Sequence, residues 1–149
     1  MNSSFSPQSH EGHEESQRMD FKVSNFKREN PVSKQIVDCA FKVHTTIGPG
    51  LVESAYQECM EKEFQKRKIA YKREHHMPIY YDGDLLNTPY RVDFLVENCV
   101  IVELKAVERM LPVHDAQVLT YLKLSECKLA LLINFCSPLI KDGIKRFVI

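Results

Sequence analysis

Past residue 30, apolar residues return at helical spacing. Ile36, Ala40, Val43 and Ile47 fall at intervals of four, three and four, which is one stripe on one helix. Asn30-Pro31 marks its start, with Asn as cap and Pro at the first helical position. Gly48-Pro49-Gly50 ends it and turns the chain. A second helix is predicted from about Leu51 to Lys68, with Leu51, Ala55, Cys59 and Phe64 facing inward. The pattern then changes to strands. Ile69–His75 and Pro78–Tyr81 read as a strand pair, the second ending at the Tyr81-Asp82-Gly83-Asp84 turn. Tyr90–Val96 and Val100–Val107 are two more strands around Glu97-Asn98-Cys99. A third helix is expected from Pro112 to about Ser125. Leu129–Phe135, apolar almost throughout, reads as a central strand buried on both faces, and Ile144–Ile149 as an edge strand. The order ααββββαββ predicts an α/β (α+β) fold, a mixed β-sheet flanked by helices.

The first 29 residues contrast with this. They are rich in Ser, His, Glu and Gln with isolated apolar positions, too few to offset the entropy of ordering, so a disordered tail precedes a single domain at 30–149. His10 and His13 lie in this tail, where solvated histidines are expected rather than metal ligands.

Composition narrows the function. Lysine plus arginine equals aspartate plus glutamate at 20 each, which argues against a uniformly basic polyanion binder and leaves room for a local patch such as Lys66, Arg67, Lys68, Lys72 and Arg73. The five cysteines form no C-x-x-C pair and are expected to be reduced. No apolar run is long enough to cross a bilayer, and the N-terminus lacks the apolar segment of a signal peptide, so a cytoplasmic protein with no membrane partner is expected.

The chemistry is concentrated in two strands. In Val100–Val107, Glu103 and Lys105 are charges inside an apolar run and share one face by alternation. From this strand alone, a functional site and a solvent-facing ion pair both remain open. The preceding strand carries Asp93. If Glu97-Asn98-Cys99 is a three-residue hairpin loop, Val96 faces Val100 and Asp93 falls opposite Glu103. Two facing carboxylates repel unless a cation lies between them, and a hard cation such as Mg2+ suits two carboxylates plus water. A two-residue loop would separate them. Lys105, one step along, could donate to a phosphate or position an attacking water.

Asp93 with Glu103-Leu104-Lys105 resembles the D…(D/E)-x-K signature of the PD-(D/E)XK nuclease superfamily, whose restriction-endonuclease-like core fits the element order above. Gly50-Leu51-Val52-Glu53-Ser54-Ala55-Tyr56 is similar to the G-x-x-E-x-x-Y motif of its GxxExxY branch. The resemblance runs through Leu111-Pro112-Val113-His114, Ala116-Gln117 and Leu131–Phe135, over residues 31–149. It implies a nuclease acting on nucleic acid, DNA before RNA, with Mg2+ or Mn2+ as cofactor. Asp93 and Glu103 would be direct metal ligands, with the Leu104 carbonyl beside them. Glu53 would reach the metal through water, Lys105 would be the catalytic lysine, and Gln117 and Tyr121 would match a Q-x-x-x-Y element. Val92 stands where the superfamily has Pro. Homodimerisation is expected by analogy. The alternative is a catalytically silent member of the same fold, serving as a nucleic-acid or protein binding module.

Duller roles stand beside these. Glu53 could serve the helix macrodipole, Tyr56 could be a packing residue, Gln117 and Tyr121 could be polar positions on an exposed helix, and His114 could make a helix-start hydrogen bond. His75 and His76, adjacent in a strand, cannot both face one metal and are expected at the surface.

Overall fold

The computed structural model describes residues 26–88 and 90–149, so His10, His13 and most of the expected tail lie outside the described residues. Two helices come first, α1 (Glu29–Ile47) and α2 (Glu53–Lys66). Strands β1 (Tyr71–Met77), β2 (Tyr80–Tyr81), β3 (Asp84–Leu85), β4 (Tyr90–Val96) and β5 (Val100–Lys105) follow. Helix α3 (Pro112–Leu124), β6 (Leu129–Asn134), a short 3-10 turn (Ile140–Gly143) and β7 (Ile144–Val148) complete the fold. The main sheet is ordered β1-β4-β5-β6-β7, with β5 and β6 parallel and its other neighbours antiparallel. This is the mixed sheet flanked by helices that the periodicity implies. Helices α1 and α2 cover one face, where Ile36, Val43, Tyr56 and Phe64 pack with Val102, Leu104, Leu131 and Ile133. Helix α3 covers the other, with Val118 and Leu122 against Ile101, Ala130 and Leu132. Every residue of β6 is buried, as its apolar run requires.

Several expectations fail for local reasons. Ile69–His75 does not pair with Pro78–Tyr81. Strand β1 pairs with β4, while β2 pairs with the unforeseen β3 across the two-residue Asp82-Gly83 turn. Both turn residues have positive φ, 49° and 83°, which suits a tight hairpin joining its immediate flanks rather than a strand further back. Helix α2 begins at Glu53, not Leu51, and Leu51 is exposed. The Tyr56 hydroxyl donates to the Gly48 carbonyl (2.6 Å) and accepts from the Leu51 N–H (3.2 Å), so residues 48–51 are held as a loop. The inward stripe of α2 is accordingly Tyr56, Gln57, Met60 and Phe64. Ile47, the last residue of α1, is exposed. Asn30 does not cap α1, which starts one residue earlier; its side chain accepts instead from Arg146 (2.6 Å). Phe26 packs on the core before α1 begins.

One departure from strand periodicity matters more. On β1, Tyr71 packs on the α1/α2 side, but Met77 packs on the α3 side. On β4, Phe94 and Val96 lie on the α1/α2 side and Val92 on the α3 side. Residues separated by two, four or six should share a face. Both strands therefore turn over, between Tyr71 and Met77 on β1 and between Val92 and Phe94 on β4. Glu74 has φ +50°, a left-handed conformation uncommon for a side-chain-bearing residue and costing on the order of 1–2 kcal/mol. The register brackets Glu74 opposite Asp93, between the pairs Arg73–Phe94 and His75–Val92.

The chain past β5 is held by one buried side chain. Asn134 accepts from the Val107 N–H (3.1 Å) and the Cys136 N–H (3.2 Å) through Oδ1, and its Nδ2 donates to the Val107 carbonyl (2.9 Å). Removing it leaves three backbone groups without a partner. Asn134→Ala should lower unfolding stability by roughly 2–4 kcal/mol. Urea denaturation measures this, and a loss under about 0.5 kcal/mol would show that water replaces the clamp without penalty.

Candidate functional site

The β4–β5 hairpin sets the geometry. Glu97 and Asn98 both have positive φ, and the loop is tied to the start of β1, with the Glu97 N–H donating to the Ala70 carbonyl and the Ala70 N–H to Glu97 Oε1, each at 2.8 Å. Val96 faces Val100, followed by Leu95–Ile101 and Phe94–Val102, so the loop has the three residues on which the sequence argument depends. The next pair in this register is Asp93 and Glu103.

At that pair the ladder changes character. The Asp93 N–H donates to Glu103 Oε1 (2.8 Å) and the Leu104 N–H donates to Asp93 Oδ2 (2.7 Å). Each carboxylate thus takes a backbone donor of the opposite strand. Asp93 also sits where β4 turns over, so the two acids meet in the gap between strands, rather than as neighbours on an unbroken face. The reciprocal bonds leave each carboxylate with a second oxygen. Asp93 Oδ1 receives only a long contact from Gln57 Nε2, 3.4 Å. No fully buried side-chain N or O lacks a partner among the described residues, so the other Glu103 oxygen is either open to solvent or hydrogen-bonded.

Burial dominates the electrostatics. Glu103 is 6% exposed, and desolvation, then the Asp93 charge, push its carboxyl up to about 8, against the pull of the Asp93 N–H and Lys105. Asp93 is raised as well, first by burial and then by Glu53 and Glu74, while the Leu104 N–H and Lys105 oppose this. Lys105, the last residue of β5, is half-buried, and its carbonyl accepts from the Phe135 N–H (2.9 Å). Glu53 is exposed in the first turn of α2, near enough for its charge to act on both acids.

The remaining residues divide. Tyr121 is 4% exposed; burial raises its hydroxyl, the Glu103 charge adds to this, and a hydrogen bond with Gln117 opposes it. Tyr121 is therefore buried within reach of the Glu103 charge rather than on an exposed surface, and Gln117 is half-buried one turn before it. The His114 ring accepts from the Leu111 N–H (3.0 Å) at the start of α3. Tyr56 is a packing residue, stacked on Phe135 with ring centroids 4.4 Å apart. His75 is half-buried, not fully at the surface, and burial lowers its pKa. Within the basic cluster, Lys66 and Arg67 pair with Glu63, and Arg73 with Glu61. Sequence reasoning passed over Gln57, one turn beyond Glu53 on α2; that spacing was the available signal.

The donor set fits a small hard cation. The buried Glu103 carboxylate and the half-buried Asp93 carboxylate carry a desolvation penalty that a cation would remove, and oxygen ligands with room for water suit Mg2+ or Mn2+. No cluster of three or more His, Cys, Asp or Glu side chains is gathered as a metal cage among the described residues, so a cation here would complete its shell with solvent and backbone oxygen. No described helix is long and apolar enough to cross a membrane.

The profile described as the PD-(D/E)XK nuclease superfamily matches residues 30–147. No curated protein and no solved structure matches the chain.

Because the Glu103 pKa is raised on folding, its contribution is fully present below the ordinary value near 4.5 and is lost as pH rises through about 8. Without divalent cation, Glu103→Gln should therefore melt higher than the parent at pH 9, by roughly 10 °C or more, with the gain vanishing near pH 4.5. Calorimetric melts in chelator test this; an unchanged or lower Tm at pH 9 would mean that the buried charge is not destabilising.

Proposed function

Because the chain belongs to the PD-(D/E)XK nuclease superfamily, we propose that it is a divalent-metal-dependent nuclease hydrolysing phosphodiester bonds of DNA, in the GxxExxY branch. Members of the superfamily typically use divalent metal ions. The observation that carries the reading is the reciprocal Asp93–Glu103 arrangement in the opened ladder, with Lys105 two residues beyond Glu103.

Asp93 and Glu103 would hold Mg2+ or Mn2+ through the oxygens not committed to the backbone, with the Leu104 carbonyl as a further donor and Glu53 acting through water. When bound, the cation supplies Lewis-acid stabilisation of charge building on the phosphate. The chain's own groups do the rest. Lys105 directs its ammonium toward a non-bridging phosphate oxygen and orients the attacking water. Asp93 and Glu103 are fixed before substrate arrives, because reorientation would break the bonds at Asp93 N and Leu104 N. Tyr121, buried on the α3 side and hydrogen-bonded with Gln117, would limit water access to Glu103 from that side.

Purified protein should cut DNA with Mg2+ or Mn2+ and not in chelator. Lys105→Ala should lower the rate by roughly 100-fold or more while leaving the melting temperature near that of the parent. Single-stranded DNA, duplex DNA and RNA tested side by side identify the substrate. Cutting that survives both Asp93→Ala and Glu103→Ala rules the mechanism out, and cation-dependent DNA binding without cleavage identifies a binding module.

A further inference from the structure

Asp93 is approached from the helix side by a chain of two polar residues. Gln57 lies one turn after Glu53 on α2 and is 6% exposed. Its Oε1 accepts from Arg73 Nη2 (3.1 Å), and its Nε2 points at Asp93 Oδ1 (3.4 Å). Arg73 in turn donates through Nη1 to Glu61 Oε1 (3.2 Å), one turn further along α2. The order of donors is set by chemistry. A guanidinium can only donate and an ionised carboxylate can only accept, so the amide between them must present oxygen to Arg73 and N–H to Asp93.

The two contacts serve different purposes. Glu61 and Gln57 together hold the Arg73 guanidinium, which stops the Gln57 amide from flipping. The amide N–H then meets Asp93 Oδ1, the oxygen left free by the Leu104 N–H bond to Oδ2. A buried, neutral donor at this point orients the carboxylate without neutralising it. Arg73 could not do so directly without competing as a cation. The Arg73 side chain reaches α2 because it precedes Glu74, with its positive φ, in the stretch where β1 turns over. The strained residue and the relay thus lie next to each other along β1.

We propose that Gln57, oriented by Arg73, is a positioning residue that aims Asp93 Oδ1 at the divalent cation. This rests on the reading of Asp93 and Glu103 as cation ligands. Outer residues that orient metal-ligating carboxylates typically contribute roughly 10-fold to 100-fold in metal affinity. Gln57→Leu removes both contacts at similar volume. Gln57→Glu keeps an acceptor for Arg73 but cannot donate to Asp93 when ionised, so it separates the two halves of the relay. Arg73→Met leaves the amide in place but free to flip.

Calorimetric titration of metal-free protein with Mn2+ is the primary readout, with melting temperature and DNA cleavage beside it. Gln57→Leu and Gln57→Glu should each weaken Mn2+ binding by about 10-fold or more, and Arg73→Met should weaken it by less, in proteins that still melt cooperatively. A shared loss in Gln57→Glu marks the N–H toward Asp93, since packing and the Arg73 contact remain. If the parent binds Mn2+ and all three variants bind it as tightly, the positioning role is wrong and the site reading stands. If the parent itself neither binds Mn2+ nor cuts DNA, both are overturned.

Discussion

The pair of hydrogen bonds that exchanges two carboxylates for ladder carbonyls, Asp93 N–H to Glu103 and Leu104 N–H to Asp93, is where the architecture and the chemistry meet. A β-ladder ordinarily closes on itself and leaves nothing at its centre for a ligand. Here the main-chain donors are satisfied by acids, so the strands stay joined while negative charge is brought to the gap. Charge buried this way is unfavourable, as the upward shifts at Glu103 and Asp93 record. The surrounding structure is what keeps the arrangement in place. The tied Glu97–Cys99 loop sets the register, the all-buried β6 backs β5, and Asn134 fixes the chain just past Lys105.

Seen this way, the turning over of β1 and β4 has a use. An unbroken alternation would direct Asp93 to one helix layer alone. At the turnover its carboxylate reaches both the Leu104 N–H and the side chain of Gln57 on α2, while Glu103 stays on the α3 side near Tyr121. The site therefore draws on both layers. The left-handed backbone at Glu74, opposite Asp93, is the strain stored there, and buried packing on each side holds it.

Much of this was legible in the sequence because it rests on short-range rules. With a three-residue loop between β4 and β5, counting alone set Asp93 against Glu103, and the register has that loop. The largely apolar Leu129–Phe135 announced a two-sided strand, and the D…E-x-K spacing with the Gly50–Tyr56 motif pointed to the superfamily that the family profile bears out. What could not be read were effects that depend on partners distant in the chain. The β1–β4 pairing replaces an expected local hairpin because a tight Asp-Gly turn takes only its own flanks. Helix α2 starts late because Tyr56 holds the preceding loop. The strand turnover violates the very periodicity from which strands are read, and the helical spacing of Gln57 from Glu53 gains a meaning only when Arg73 and Asp93 are seen on either side of it.

The central claim is that Asp93 and Glu103 form a protonatable pair kept for a divalent cation. The most direct measurement is Mg2+ or Mn2+ binding calorimetry in buffers of differing ionisation enthalpy, which counts the protons displaced. With Glu103 near 8, binding at pH 7 should release about one proton per cation, and the release should fall toward zero above pH 9. Cation binding with no proton release at pH 7, or no binding at any pH, would contradict the account.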